Sequence, residues 1–209
     1  MDNESGNNKR IIVFGAGGMV GRAVVAEART RGYEVTEAGR GDGDVTSAAD
    51  VARLAAGHDA AVAAVYDARA VPGEFFPATS RALADGLSRA GVRRLVAVGL
   101  ASVLPTESGA ALMDTPGYPQ EWREFYAGHA AGTGALRAAA PAGLDWAVLS
   151  PAGDFVEGGA AGGPEGGYAL PVPAHAASRI TRAAFARAVV DEAAGAPTLH
   201  AVHAGVGPA

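Results

Sequence analysis

The sequence contains no cysteine, which excludes disulfides, thiol nucleophiles and thiolate metal sites. It has one lysine, Lys9, against sixteen arginines. Chemistry that needs a lysine ammonium in the middle of the chain is therefore closed to it. No apolar run approaches the ~20 residues of a bilayer span, and the polar opening residues show no secretory leader. The net charge is -5, with no basic block longer than two residues, as at Lys9-Arg10. Nothing there draws a polyanion, so neither nucleic acid nor a membrane is an expected partner. What is present is a chain of 209 residues, 49% hydrophobic and only 19% charged, enough for one full core. The expectation is a soluble cytoplasmic protein, a monomer or homodimer, acting on a small molecule.

Residues 1–9 read as a disordered tail and residues 10–209 as a single domain. Arg10–Phe14 is short, apolar and β-branched, the pattern of a buried parallel strand. A glycine turn follows at Gly15–Gly18. Val20, Ala23, Val24 and Ala28 then recur at helical spacing until Gly32 stops the run. Further strands are expected at Tyr33–Ala38, Ala60–Val65, Arg94–Val98, Asp145–Leu149 and Leu199–His203. Further helices are expected at Ser47–Ala56, Ala78–Ala90, Gln120–Ala140 and Arg182–Ala194. A loop carrying Pro105, Pro116 and Pro119 precedes the long helix. Gly153–Gly167 is too rich in glycine for regular structure, and residues 153–178 read as a glycine-rich substrate lid. Strands alternating with helices predict an α/β fold: a Rossmann-type, doubly wound parallel sheet.

The glycines at 15, 17, 18 and 21 fall between the first strand and the first helix, the context that gives such a pattern meaning. Gly15 lets the chain turn, Gly17 or Gly18 lets a phosphate approach the backbone, and Gly21 lets helix and strand pack. The main chain of Gly15, Ala16, Gly17, Gly18, Met19 and Val20 then offers free amides and a helix dipole to a pyrophosphate. The second expected strand ends at Gly39-Arg40. Arginine at that point accepts the 2′-phosphate of NADP(H), where an acid would hold the 2′-hydroxyl of NAD(H). Glu37 comes two or three positions early, so NADP(H) is preferred over NAD(H).

The glycine spacing at 15, 18 and 21 resembles the atypical short-chain dehydrogenase/reductase family. "GYEVTEAGR", "GDVTSAADVARL", "AGVRRLVAVG", "LMDTPGYPQEW", "LDWAVLSPAG" and "SRITRAAFARAVVDE" are similar to its small NAD(P)H-binding, NmrA-like members and to the flavin reductase/biliverdin reductase B type. The likeness runs over roughly residues 10–204, strongest at the turn and at "LDWAVLSPAG". It implies that Asp44 and Val45 line an adenine pocket. It also implies that Ala64, Val65 and Tyr66 pass under a ribose, and that Ser150 and Pro151 face the nicotinamide.

Reductases of this kind pair a tyrosine with a lysine four residues later; the lysine lowers the tyrosine pKa. This sequence has no such pair. The corresponding segment is "EWREFYAGHAAG", with Phe125 and His129 at the four-residue spacing and Tyr126 one step off. On a helix, 125 and 129 share a face and 126 points about 100° away. His129 is a candidate ribose ligand or proton donor near neutral pH, and at least as much a partly buried or surface histidine with no such role. Tyr126 is the neighbouring phenol, and Ser102 the candidate substrate-orienting hydroxyl. Asp154 and Glu157 at the lid read first as solvated carboxylates, and Asp114 and the His58-Asp59 pair as turn residues. His200 and His203 would face opposite sides of a strand, which argues against a metal site. No G-x-S-x-G elbow is present.

Three functions remain. The first is NADPH-dependent reduction of a small, planar or conjugated acceptor (flavin-, quinone- or carbonyl-like), where the proton comes from water. The second is a non-catalytic NADP(H)-sensing NmrA-like regulator. The third is a non-redox isomerase, dehydratase or cyclase on the same fold.

Overall fold

The computed structural model describes residues 9–157 and 167–209. The expected tail over residues 1–8 and the centre of the expected lid, 158–166, lie outside the described residues. Lys9 is described, and its ammonium donates to the Ala194 carbonyl at 2.8 Å.

In chain order the elements are β1 (Arg10–Phe14), α1 (Met19–Thr30), β2 (Glu34–Ala38), α2 (Ala48–Ala55), β3 (Ala60–Ala63), α3 (Pro72–Ala90), β4 (Arg94–Val98), α4 (Arg123–Ala139), β5 (Asp145–Pro151), β6 (Asp154–Val156), β7 (Tyr168–Ala169), β8 (Arg179–Thr181), α5 (Arg182–Ala194) and β9 (Val202–Pro208). The main sheet runs β2-β1-β3-β4-β5-β9-β7. All its pairings are parallel except β7 with β9. β6 and β8 form a separate parallel pair. The Rossmann-type expectation is met.

Alternation along β1 shows why helices cover both faces. Ile11 and Val13 pack with Val24, Ala28 and Phe185, on the side of α1 and α5. Ile12 and Phe14 pack with Val51, Leu83 and Leu136, on the side of α2, α3 and α4. On that second side, missing side chains bring the helices together. A Cβ on Gly128 would stand 2.7 Å from Pro72, and one on Gly132 2.8 Å from Phe76, so α3 and α4 meet backbone to backbone.

Three expected boundaries are corrected. α3 begins at Pro72, not Ala78, because a proline in the first helical turn loses no hydrogen bond there and presets φ. The last strand is Val202–Pro208, not Leu199–His203. Buried Glu192 pulls the intervening residues off the sheet edge: its carboxylate accepts from the amides of Thr198 and Leu199 and pairs with Arg94 at 2.9 Å. The glycine-rich stretch also holds regular structure, β6 at Asp154–Val156.

Candidate functional site

The chain leaves β2 and returns as β3 on the other flank of β1, so the strand order reverses between β1 and β3. Open α/β sheets bind ligands at such a point, beyond the carboxyl ends of the strands. Here that point is the glycine turn. Gly15 has φ +78°, and a Cβ on it would stand 2.2 Å from the Ala64 carbonyl oxygen. A Cβ on Gly21 would stand 2.1 Å from the Gly15 carbonyl oxygen. The protein's own packing requires both glycines. Gly17 is different, because nothing lies within 4 Å of a Cβ built there. Its open side faces a cleft of about 670 Å³ that Gly15, Gly17 and Gly18 help to line. α1 starts at this cleft with Gly18 as its N-cap. No side chain caps its first amides, and its first turn has no acid. Bare amides at the positive end of a helix dipole suit a phosphate group. A dinucleotide's pyrophosphate therefore fits the residues present.

The far wall of the cleft holds Arg40, Asp44, Val45, Ala64, Val65 and Tyr66, all expected there, together with Asp67 and Arg69, which were not. Glu37 is turned away into an ion pair with Arg29 at 2.8 Å, so no acid from β2 competes at its end. Asp44 is occupied locally: Oδ1 accepts from the Thr46 amide and hydroxyl, setting the turn into α2. Arg69 forks onto Asp67 through Nε and Nη2, both at 3.2 Å, and Arg40 stands 3.8 Å from the same carboxylate. The Arg69 hydrogen bonds, the Arg69 amide and the Arg40 charge hold Asp67 at about 2, so it is anionic at neutral pH. Two guanidinium groups around one carboxylate leave a positive excess at this end.

Ser150 and Pro151 are buried at the end of β5. The Ser150 hydroxyl is engaged with His203 Nε2 at 2.8 Å. Gly99 fixes that arrangement, since a Cβ on it would stand 2.4 Å from Ser150 Oγ.

The catalytic candidates fall into two groups with different partners. Ser102 is buried and hydrogen-bonds the Tyr118 hydroxyl at 2.8 Å. The Tyr118 ring meets Tyr126 edge to face at 5.6 Å, so Ser102 and Tyr126 belong to one cluster. Burial, with Tyr118, Glu121 and Asp154 nearby, raises the Tyr126 phenol further. His129 lies with Phe125 at 4.8 Å and tilts over Phe76 at 3.8 Å. Burial, with His203 nearby, pushes it down to about 4. His129 is therefore neutral at pH 7. The ring keeps one N–H but is not the imidazolium that a general acid near neutral pH draws on.

Residues read as structural take such positions. His58 bonds Thr36 and the Ala55 carbonyl, Asp59 accepts from the Arg10 amide, and Asp114 pairs with Arg123. His200 and His203 turn to different partners, Asp145 and Ser150. Asp154 and Glu157 are exposed and pair with Arg179 and Arg182.

Against this geometry, the NAD(P)H-binding family model matches residues 37–195. The chain belongs to the NAD(P)H-binding family. A solved structure of a protein provisionally classed as exported, from Burkholderia pseudomallei, is 30% identical, with a TM-score of 0.81 over 95% of this chain and 99% of that one. A provisionally named NADH-flavin reductase from Streptococcus pneumoniae is 24% identical, with a TM-score of 0.76 over 97% of this chain and 100% of that one. A provisionally named epimerase from Bacteroides thetaiotaomicron is also 24% identical, with a TM-score of 0.76 over 96% and 97%. At 24% these two establish the fold alone. No curated protein matches the chain. The expectation of an NAD(P)H-binding family member is met.

Within this NAD(P)H-binding chain the expected site stops one turn early. β3 runs on into "YDARAVP", and Asp67 and Arg69 sit in that connection. A loop leaving the carboxyl end of a switch-point strand is the signal that points to them. Sequence reasoning also missed a second cleft, of about 680 Å³, which shares Tyr66, Asp67 and Phe75 with the first. Phe76, Trp122, Phe125 and Tyr126 join them there. Among the described residues no helix is long and apolar enough to cross a membrane.

Proposed function

We propose that the chain is an NADPH-dependent reductase of a small, planar or conjugated organic acceptor. The observation that carries this is Gly17: it is bare where no protein atom requires it, at the start of a helix with uncapped amides. When bound, the coenzyme supplies a hydride. The chain's residues do the rest. The main chain from Gly15 to Val20 holds the pyrophosphate, and Ala64, Val65 and Tyr66 pass beneath the ribose. Arg40 and Arg69 take the 2′-phosphate, a bidentate task suited to guanidinium. This arrangement favours NADP(H) over NAD(H), although Asp67 opposes it by placing a like charge beside the phosphate. The name of the Streptococcus pneumoniae protein supports a reductase role and a ring-shaped acceptor. With Phe125 at the family's tyrosine position, the proton that accompanies hydride comes from water.

The same substitution favours a second reading, an NmrA-like sensor that binds the nucleotide without using it. Titration of the purified protein with NADPH and NADH tests the binding, and loss of absorbance at 340 nm with flavins, quinones and carbonyls tests the transfer. NADPH binding with no acceptor consumed leaves the sensor. A product of unchanged mass, or lighter by water, leaves the isomerase or dehydratase. A cytoplasmic location and a lid over residues 153–178 belong to the same proposal. The flanks of that lid are fastened: Val172 donates to Gly205, Ala174 to Pro105 and His175 to Ala152.

A further inference from the structure

The second cleft is formed of rings and carboxylates. Phe125 meets Tyr66 at 5.5 Å and 82°, and Phe76 at 5.7 Å and 67°. Phe75 meets Phe76 at 5.4 Å and 74°. Phe76 is buried under His129, so the accessible ring surface is that of Tyr66 and Trp122, with Phe75 and Phe125 half-buried beside them. Trp122 is 62% exposed and Tyr66 59%, a large apolar surface at one opening. Glu121 and Glu124 complete the lining, which contains no arginine or lysine. Arg123, between them in sequence, is turned away onto Asp114 and the Met113 carbonyl. Among the described residues neither glutamate has an ion-pair partner. Asp67 adds little net charge, because Arg69 and Arg40 already answer it.

Exposed Tyr66 and Trp122 rings beside carboxylates without an ion-pair partner among the described residues select for a flat cation, through cation–π and Coulomb attraction together. They select against flavin mononucleotide and other acceptors that carry phosphate or carboxylate. We propose that this cleft binds a planar organic cation and that the hydride acceptor is of the iminium class. The binding half stands on the cleft itself, and the redox half rests on the reductase reading. The iminium carbon accepts the hydride pair from reduced nicotinamide, and a C–H bond forms there. The C=N π pair withdraws to nitrogen. The acceptor is reduced to a neutral amine, and the nicotinamide is oxidised and takes over the positive charge. No proton enters or leaves, so the step needs no tyrosine where Phe125 stands and no protonated His129.

The test uses N-methylquinolinium and its uncharged analogue quinoline, titrated while Trp122 emission is followed; the other tryptophan, Trp146, is buried. The cation should bind roughly tenfold tighter or more, and Glu121→Gln with Glu124→Gln should bring the pair within about threefold. Both glutamates are exposed, so the double variant should keep the wild-type Tm. Equal affinities in the wild type, or tighter binding of naphthalenesulfonate, would overturn the assignment. In parallel, NADPH consumption is followed with N-methyl-3,4-dihydroisoquinolinium, lumiflavin and flavin mononucleotide, and the iminium should be used best. If lumiflavin oxidises NADPH while neither cation binds, this inference fails and the reductase reading survives. If the cations bind but no acceptor is reduced, the cleft keeps its occupant and the iminium step falls with the reductase reading.

Discussion

Replacing Gly17 by alanine separates a glycine kept for a ligand from one kept for the fold. A methyl group at residue 17 meets nothing within 4 Å, and the backbone there is outside the left-handed region. The folded state therefore pays no steric penalty, and the unfolded chain loses freedom, a net gain of about 0.4–1 kcal/mol. For a chain of this size that raises Tm by roughly 1–4 °C. The ligand meets the opposite situation. The methyl fills the space through which a phosphate reaches the main chain, and it breaks at least one charge-assisted hydrogen bond, worth about 1.5–3 kcal/mol. NADPH should weaken roughly 10- to 150-fold. Gly21→Ala is the control. Its Cβ would stand 2.1 Å from the Gly15 carbonyl oxygen and 2.9 Å from the Ala16 Cα, both backbone atoms that cannot step aside. The cost should reach or exceed the upper end of the ~1–3 kcal/mol seen for overpacking, lowering Tm by several degrees. Scanning fluorimetry gives the stabilities, and the emission of bound NADPH gives the affinities. If Gly17→Ala binds NADPH as the wild type does, nothing approaches the chain at that point, and the cradle argument is refuted.

At the far end of the cleft, Arg40→Ala and Arg69→Ala should each weaken NADPH by roughly ten- to a hundredfold, the worth of a charged hydrogen bond. NADH should change little, and equal losses for both coenzymes would refute the phosphate role. Asp67→Asn should shift preference towards NADPH, because it removes an anion beside both guanidinium groups; a shift towards NADH would show Asp67 holding the arginines in place. His129→Phe should leave turnover nearly unchanged, whereas a general acid contributes ~10²–10⁴ in rate, so a loss on that scale would make the ring a participant. His129 and His203 are both held at about 4, below the ordinary 6.5. The unfolded chain therefore binds protons first as pH falls. Stability is fully present above about 6.5 and is lost towards pH 4, at up to about 3 kcal/mol for each ring. A Tm flat from pH 7 to 4.5 would contradict that burial.

What the sequence shows and what it hides divide by range. β1, β4 and α5 are legible because each signal is local: a β-branched run, or an apolar face at helical spacing closed by a glycine. The glycine cradle is legible for the same reason, since strand, turn and helix are contiguous. β9 was misplaced because the Glu192 carboxylate, held by Arg94 from 98 residues earlier in the chain, captures the amides of Thr198 and Leu199. The site divides in the same way. Arg40 follows from its strand, but its neighbour Arg69 is known only through their shared carboxylate, Asp67. The segment around Phe125 shows the division within one helix. Helical spacing correctly places Phe125 beside His129 and turns Tyr126 away. It cannot tell that Phe125 faces Tyr66 and Phe76, which come from another strand end and another helix. Read alone, Phe125 is the place where a tyrosine is missing. Placed among those rings and two glutamates with no ion-pair partner among the described residues, it forms part of a surface for a flat cation, whose reduction needs no tyrosine.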